Sequence, residues 1–331
     1  MTDAGTRLRY PCRMTLTELR YVVNLDKERH FARAAERSFV SQPTLSMALK
    51  KLEDELGVIL FERTRGEVKP TPVGARIVEQ ARRVLSEAQR VQELARDGKD
   101  ECVGPLRLGA IYTVGPYLLP SLVPQLRESA PRMPLVIEEN FTAMLLEQLR
   151  DNELDVAVLS LPIDTSGLSV WPLYDEEFVA LVPSDHRWAK ETALPAKRLA
   201  EEPLLLLGPG HCFRDQVVQV CPKCVDADGD GMRPHTGSSL ETIRYMVASG
   251  LGITVLPRGS IENRPVNDRQ GLVPVSIVPT PKRRIAMVWR KSFPRSAAIN
   301  ALRDGVLNCG LRGVTLLRNE SHNAEAGVAT A

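Results

Sequence analysis

Residues 41–57 constrain the fold of this chain more than any other stretch, because they specify one helix from start to finish. Ser41 can cap the helix, and Pro43 falls in its first turn, where a missing N–H is harmless. Gly57 ends it. Leucines repeat at spacings of four and three along one face, as in a helix packed on a core: Leu45, Leu49, Leu52 and Leu56.

A shorter helix is predicted just before this one, at residues 31–37, where Ala34 and Ala35 allow close packing. Two helices joined by a tight turn form a helix-turn-helix. Residues 58–70 alternate and turn at Arg65-Gly66, which fits a small β-wing. The same pattern also fits a helical hairpin inside an ordinary core. The pattern alone does not decide between this hairpin and a DNA-binding helix-turn-helix.

The outward face of the 41–57 helix carries side chains suited to DNA. Glutamine and hydroxyl side chains hydrogen-bond base edges in the major groove, and basic side chains neutralise phosphates. The candidates are Gln42, Pro43, Thr44 and Ser46 near the helix start, Lys50 further along, and Arg63 and Arg65 in the wing. The net charge of the chain is only +2, so it neither favours nor excludes nucleic acid.

A long helix is predicted after Thr71-Pro72, because neither glycine nor proline follows Gly74 until residue 98. Its apolar residues alternate spacings of three and four, as in a coiled-coil seam: Ile77, Ala81, Val84, Ala88, Val91 and Ala95. The alternative is an amphipathic helix that lies on its own domain. A helix between two domains has little domain to lie on, so we expect a dimer seam.

From residue 106 onward the sequence alternates strands and helices, which indicates an α/β sheet. Strands are predicted at 106–110, 135–138, 156–159, 178–182, 204–207, 253–257 and 285–289, and helices at 118–127 and 144–152. The chain has 331 residues, of which 43% are hydrophobic, enough for about two domains with sizeable cores. That composition excludes a collagen-like or wholly disordered chain.

Neither a membrane span nor a secretory signal is predicted, since no apolar run approaches about 18 residues and the first residues are polar. We therefore expect a cytoplasmic protein, whose native start is either Met1 or Met14. The sequence contains no P-loop, dinucleotide fingerprint or nucleophile elbow, so we expect neither a cofactor nor an enzyme.

Cys212 is the candidate reactive residue. Phe213, Val217 and Val220 are spaced as one helix face, which predicts a short helix that begins near His211. A helix N-terminus and the neighbouring His211 and Arg214 would lower the pKa of the thiol, and the thiolate attacks peroxides. The alternative is a buried structural thiol.

Cys221 lies nine residues after Cys212. In one continuous helix the two would be ~13 Å apart and on opposite faces. A disulfide needs Cα atoms within about 7 Å, so bridging them would force this segment to refold. Oxidation of this pair would therefore change the shape of the protein.

Cys221-Pro222-Lys223-Cys224 forms a CxxC motif, and with His235 it offers fewer than the four ligands of a structural zinc site. Cys224 is a spectator or a rival resolving thiol. Residues 226–231 resemble the start of an EF-hand loop, but Gly237 stands where the bidentate Glu belongs. We expect no metal.

The N-terminal residues resemble the winged helix-turn-helix of LysR-type transcriptional regulators. The similarity rests on 14–57, with Ser41-Gln42-Pro43-Thr44-Leu45-Ser46 at its centre, on 60–64 and on 71–74. It implies double-stranded DNA as a partner, a dimer through the linker helix and a tetramer, and contact with RNA polymerase. It also implies an all-α winged helix-turn-helix plus linker helix, followed by a two-lobed α/β effector domain like that of periplasmic binding proteins.

We accordingly divide the chain into five segments. They are a flexible extension (1–13), the winged helix-turn-helix DNA-binding domain (14–71), the linker and dimerisation helix (72–101), the effector domain (102–318) and a flexible tail (319–331).

Residues 210–216 and Cys221 resemble the redox loop of the OxyR branch of this family, which senses hydrogen peroxide, and 114–120, 239–242 and 252–257 agree. The resemblance implies that Cys212 reacts with peroxide and that Cys221 resolves the product as a disulfide. It implies a peroxide pocket formed by Thr113, Thr142, His211, Arg214, Asp215 and Arg283, with Arg284 as an alternative to Arg283. Competing hypotheses are a regulator that senses a metabolite between the lobes, and a thiol peroxidase-like enzyme.

Overall fold

The computed structural model describes residues 14–64, 67–96, 101–222, 236–263 and 271–319. Internal contacts divide the chain into two units, Met1–Arg96 and Asp97–Ala331. The long helix predicted after Thr71 lies in the first of these units.

The first unit contains a helix-turn-helix and a β-hairpin, as predicted. Its elements are helices α1 (Leu16–Glu28), α2 (Phe31–Arg37) and α3 (Gln42–Leu56), strands β1 (Phe61–Thr64) and β2 (Glu67–Pro70), and helix α4 (Pro72–Arg96). β1 and β2 pair antiparallel. The Ser41 side chain accepts a hydrogen bond from the N–H of Thr44, and Gly57 ends α3 at a φ of 68°. Both predicted ends of α3 are confirmed.

Leu45, Leu49 and Leu52 of α3 are buried in the core of this unit. The expectation that Leu56 shares this face is wrong, because its side chain is 38% exposed at the last turn of the helix. The core extends to the hairpin instead, where Leu60, Phe61 and Val68 are buried. Glu53 Oε1 joins α3 to the hairpin, because it accepts hydrogen bonds from the N–H groups of Leu60 (2.7 Å) and Phe61 (3.3 Å).

Helix α4 packs on its own unit over its first half. Val78 and Ala81 are buried, and Arg82 forms an ion pair with Asp26 of α1 at 2.9 Å. The premise that this helix has little domain to lie on is therefore wrong for that half. Val91, further along the predicted seam, is 68% exposed. The dimer seam stays a prediction, and it now rests on the second half of α4.

The second unit alternates strands and helices. Its strands are β3 (Leu106–Ile111), β4 (Leu135–Asn140), β5 (Val156–Ser160), β6 (Leu168–Pro183), β7 (Ala193–Pro195), β8 (Leu204–Leu207), β9 (Thr236–Gly237), β10 (Ile253–Pro257), β11 (Leu272–Val278), β12 (Lys282–Arg290) and β13 (Val314–Leu316). Its α-helices are α5 (Gly115–Ser129), α6 (Thr142–Arg150), α7 (Cys212–Val220), α8 (Leu240–Ala248), α9 (Gly259–Glu262) and α10 (Ser296–Asn308), and a 3₁₀ helix spans Ala196–Glu201.

Two hydrophobic cores confirm the two lobes. The first surrounds β3, β5 and β12, and the second surrounds β8 and β10. β6 belongs to both, because its first part pairs with β12 and β13 and its last part with β10 and β11. The β6–β12 register slips between Ile285 and Ala286. The strands run in the order β4-β3-β5-β12-β6-β10-β8-β9.

Arg295, at the start of α10, fixes the chain where it enters this unit. Its guanidinium donates hydrogen bonds to the backbone carbonyls of Glu101 (2.8 Å), Val103 (3.1 Å), Gly104 (3.2 Å) and Pro105 (2.8 Å). The Glu101 carboxylate in turn accepts from the N–H of Ala297 at 2.6 Å. The hydrogen bonds from Arg295 to residues 101–105 and from Ala297 to Glu101 together form a clamp that joins the start of α10 to the start of this unit.

Arg295→Ala is expected to lower the free energy of unfolding of this unit by about 3 kcal/mol, because several acceptors lose a charged donor. Thermal unfolding of the purified variant measures the loss. Arg127→Ala, at an exposed position of α5, serves as the control and should unfold like the wild type. An equal midpoint for the two variants would contradict the clamp.

Candidate functional site

Cys212 is the first residue of α7, which confirms the predicted helix start. Gly210 precedes it at a φ of 95°, and a Cβ there would lie 3.2 Å from the Phe141 ring. Cys212 is a half-buried free thiol that packs beside the core of the first lobe. Cys212 therefore lies at the end of α7 where the helix dipole is positive.

Cys221 follows the last residue of α7 and is buried, and its N–H donates to the carbonyl of Val217 at 3.1 Å. It is disulfide-bonded, whereas Cys212 is free. The implied Cys212–Cys221 bond is therefore not formed in this structure, and the length of α7 separates the two residues. Cys224, the possible rival thiol, lies outside the described residues.

His211 is buried among aromatic rings. Its ring centroid lies 4.8 Å from that of Phe141 and 5.9 Å from that of Tyr112, both at steep angles. Burial lowers the pKa of His211 below its ordinary 6.5, and a hydrogen bond with the backbone of Ser238 opposes this. The lowered pKa favours the neutral imidazole, and the effect of His211 on the Cys212 thiol stays a prediction.

Folding stability is expected to fall as the pH drops through the pKa of His211 in the unfolded chain. The lowered pKa means that the unfolded chain binds the proton more tightly, so this contribution is complete above pH 6.5 and is lost below it. Unfolding midpoints at pH 7.5 and 5.5 should differ more for the wild type than for His211→Gln. An identical pH dependence in both proteins would refute this role of His211.

Arg214 and Asp215 have different surroundings on α7. Arg214 Nη1 donates to the carbonyl of Leu207 at 3.0 Å, which ties the helix to the end of β8. Asp215 is exposed in the first turn. The structure thus gives Arg214 a positioning contact and leaves the pocket role of Asp215 a prediction.

Arg283, rather than Arg284, lies at the site. The Arg283 side chain is 1% exposed, and its Nη1 and Nη2 donate to Oγ1 (2.8 Å) and the carbonyl (3.0 Å) of Thr113. The guanidinium carbon is 5.1 Å from the centroid of Phe213, the residue next to Cys212. Arg284 bonds Asp175 instead and is 39% exposed. Adjacent strand residues point to opposite faces, which explains the difference.

Two buried oxygens near α7 have no hydrogen-bond partner among the described residues. One is Oγ1 of Thr142, the first residue of α6, which directly follows Phe141. The other is Oε1 of Gln216, whose Nε2 donates to Ser160 Oγ at 2.9 Å. Gln216 lies four residues after Cys212, on the same helix face. Each of these oxygens is therefore able to bond a small polar ligand.

Sequence reasoning assigned no role to Gln216, Ser160 or Glu176, whose carboxylate accepts from Arg283 Nε at 2.8 Å. Gln216 lies inside the 210–216 motif, so its position in that motif could have pointed to a role. Nothing in the sequence pointed to Ser160 or Glu176.

A small cavity of about 10 Å³, close to the size of one water molecule, is lined in part by Thr113, Tyr117, Tyr174 and Glu176.

On α3 of the first unit, Gln42, Pro43, Thr44 and Lys50 are exposed and Ser46 is partly exposed. The N-terminal half of the helix therefore presents the predicted base-reading side chains. Arg63 lies in β1, but its side chain, like the whole of Arg65, is outside the description.

None of the described helices is long and apolar enough to cross a membrane. Within the described ranges, no three or more His, Cys, Asp or Glu side chains cluster as metal ligands would. The possible zinc ligands Cys224 and His235, and the EF-hand-like residues 226–231, lie outside those ranges.

Comparison with known families covers both units. Residues 16–75 match the model of the bacterial regulatory helix-turn-helix protein, lysR family, and residues 99–308 match the LysR substrate binding domain. The chain belongs to the LysR family. Within that family it is 40% identical over 294 residues to the DNA-binding transcriptional dual regulator OxyR of Escherichia coli K12, covering 88% of this chain and 95% of that protein.

Other LysR-family relatives agree. The hydrogen peroxide-inducible genes activator of Dickeya chrysanthemi is 41% identical over 88% of this chain and 95% of its own length. A full-length OxyR variant from Pseudomonas aeruginosa has a TM-score of 0.72 at 48% identity and covers 93% of this chain and 99% of that chain. A peroxide-bound OxyR mutant from Corynebacterium glutamicum has a TM-score of 0.59 at 35% identity, over 90% and 92% of the two chains.

Proposed function

We propose that this protein is a peroxide-sensing transcriptional regulator in which Cys212 is the reacting thiol. The observation that carries the proposal is the free, half-buried Cys212 at the first residue of α7, in a chain 40% identical to OxyR. The thiolate is the form of a cysteine that attacks peroxide, and Cys212 is free to react.

The chemistry takes two steps. The Cys212 thiolate attacks one peroxide oxygen, so an S–O bond forms, the O–O bond breaks, and hydroxide leaves and takes up a proton as water. A second thiol then attacks the sulfenic sulfur, forming a disulfide and releasing the sulfenic oxygen as water. Cys221 is that second thiol. Because Cys221 is disulfide-bonded in this structure, a cytoplasmic dithiol must first reduce that bond and become oxidised itself.

Peroxide binds where hydroxyl groups can hold it. Thr113 is fixed by Arg283, and Thr142 Oγ1 is buried with no partner in the described part of the chain, so it can bond a ligand. Neutral His211 can accept a proton, and Arg214 and Asp215 shape the pocket from α7.

Closing a Cys212–Cys221 bond requires α7 to unwind, because its ends are ~13 Å apart at the rise of a helix. Unwinding breaks the contacts of Arg214 with Leu207 and of Gln216 with Ser160, which hold α7 between the lobes. Oxidation is thereby converted into a change of effector shape.

The output is DNA binding in the cytoplasm. Gln42, Pro43, Thr44 and Ser46 read base edges, and Lys50, Arg63 and Arg65 neutralise phosphates. Two chains associate through α4, two dimers form a tetramer, and the change of shape alters their geometry on DNA and their contact with RNA polymerase.

Peptide mass mapping without reductant tests the proposal. The protein is first reduced with a dithiol, which is then removed, and one equivalent of hydrogen peroxide is added before the remaining thiols are blocked. We expect a rapid Cys212–Cys221 link. A Cys212–Cys224 link would reassign the second thiol. Cys212 that stays reduced, or six thiols that react slowly and alike, would refute peroxide sensing and favour a metabolite sensor.

A further inference from the structure

Glu176 is a buried carboxylate that the proposed chemistry does not use. It lies on β6 directly opposite Arg283 of β12. Its Oε2 accepts a hydrogen bond from Arg283 Nε at 2.8 Å, and the backbone N–H of Gly259 donates to the same carboxylate. A Cβ on Gly259 would lie 2.3 Å from Oε1. The carboxylate is therefore clamped between the guanidinium and the start of α9.

Arg283 divides its donors between two residues. Nε bonds Glu176 Oε2, Nη1 bonds the hydroxyl of Thr113, and Nη2 bonds the carbonyl of Thr113 while also lying 2.8 Å from Glu176 Oε2. A hydroxyl that accepts from a guanidinium keeps its own proton to donate elsewhere. The Thr113 hydroxyl is thereby set as a donor, and it lines the same small cavity as Glu176.

We propose that Glu176 is a positioning residue for the reaction of Cys212 with peroxide, acting through Arg283 and Thr113. This inference rests on the proposed function. Without the carboxylate, the buried guanidinium has lost its counter-charge and is free to turn away from Thr113. Burial raises the pKa of Glu176, and the Arg283 charge and the hydrogen bonds from Arg283 and the Gly259 N–H oppose this rise.

Glu176→Gln tests the inference, because glutamine carries no charge and has an NH₂ donor in place of one of the two carboxylate oxygens. We expect stopped-flow oxidation of Cys212 by hydrogen peroxide to slow about tenfold, since a charge-assisted hydrogen bond is lost. Alkylation of Cys212 by iodoacetamide should keep its rate, because it needs no donor from Thr113. A general loosening of the structure would change both rates.

Asp175→Asn is the matched control, because Asp175 pairs with Arg284 one position along the same two strands and faces the other way. It should react with peroxide like the wild type. Arg283→Gln completes a double-mutant cycle with Glu176→Gln. If Glu176 acts through Arg283, peroxide should oxidise Cys212 in the double variant no more slowly than in Arg283→Gln alone.

Gly259→Ala gives a second route if Glu176→Gln does not fold, since the added Cβ displaces the carboxylate but keeps its charge. It should also slow peroxide and spare alkylation. The inference is overturned if these variants keep the wild-type peroxide rate, or if both rates change in parallel. Wild-type protein that fails to oxidise at Cys212 would refute the proposed function itself.

Discussion

Cys212→Ser is expected to abolish the response of transcription to hydrogen peroxide while leaving operator binding intact. Serine preserves the size of the side chain at the start of α7 but cannot form a thiolate, a sulfenic acid or a disulfide. A reporter gene with and without peroxide, together with gel-shift titration of the purified protein, measures the two properties separately.

Cys309→Ser is the control for this variant. Cys309 is also a free thiol, but burial raises its pKa, and its Sγ donates to the carbonyl of Val306 at 3.3 Å. The raised pKa keeps Cys309 in the thiol form, which does not attack peroxide. Its serine variant should therefore respond to peroxide normally. A full response in Cys212→Ser would remove Cys212 from the mechanism.

Arg283→Gln is expected to lower the free energy of unfolding of the effector unit by about 3–5 kcal/mol, because it leaves a buried carboxylate without its counter-charge. Glu176 and Arg283 are both nearly inaccessible, at 6% and 1% side-chain exposure. Denaturant unfolding of the full chain, followed at the effector tryptophans Trp171, Trp188 and Trp289, measures the change.

Arg284→Gln serves as the matched variant. Its pair with Asp175 is equally short, but Arg284 is 39% exposed, so the loss should stay below about 1 kcal/mol. Equal losses in the two variants would show that burial of the Glu176 pair contributes nothing.

Local features were predictable from the sequence. Both ends of α3 and the position of Cys212 at the start of α7 follow from residues within a few positions of each other, namely a capping serine, Gly57 and an apolar spacing. Such signals act over one helical turn, and the structure confirms them.

Contacts between distant residues were not predictable. Glu176 and Arg283 are 107 positions apart and meet only because β6 and β12 pair in one register. The buried first half of α4 depends likewise on where α1 lies, through Arg82 and Asp26. The disulfide state of Cys221 could not be read from the spacing of the cysteines. No pattern within one segment encodes these pairings.

The slip between Ile285 and Ala286 has a mechanical consequence. A regular ladder of backbone hydrogen bonds resists bending, and an irregularity lowers that resistance locally. β6 runs through both lobes, so a reorientation of one lobe against the other must deform this strand or its partner β12. Arg283 lies only two residues before the slip, so a rearrangement around it acts next to an irregular point of the strand pairing that β6 shares between the lobes.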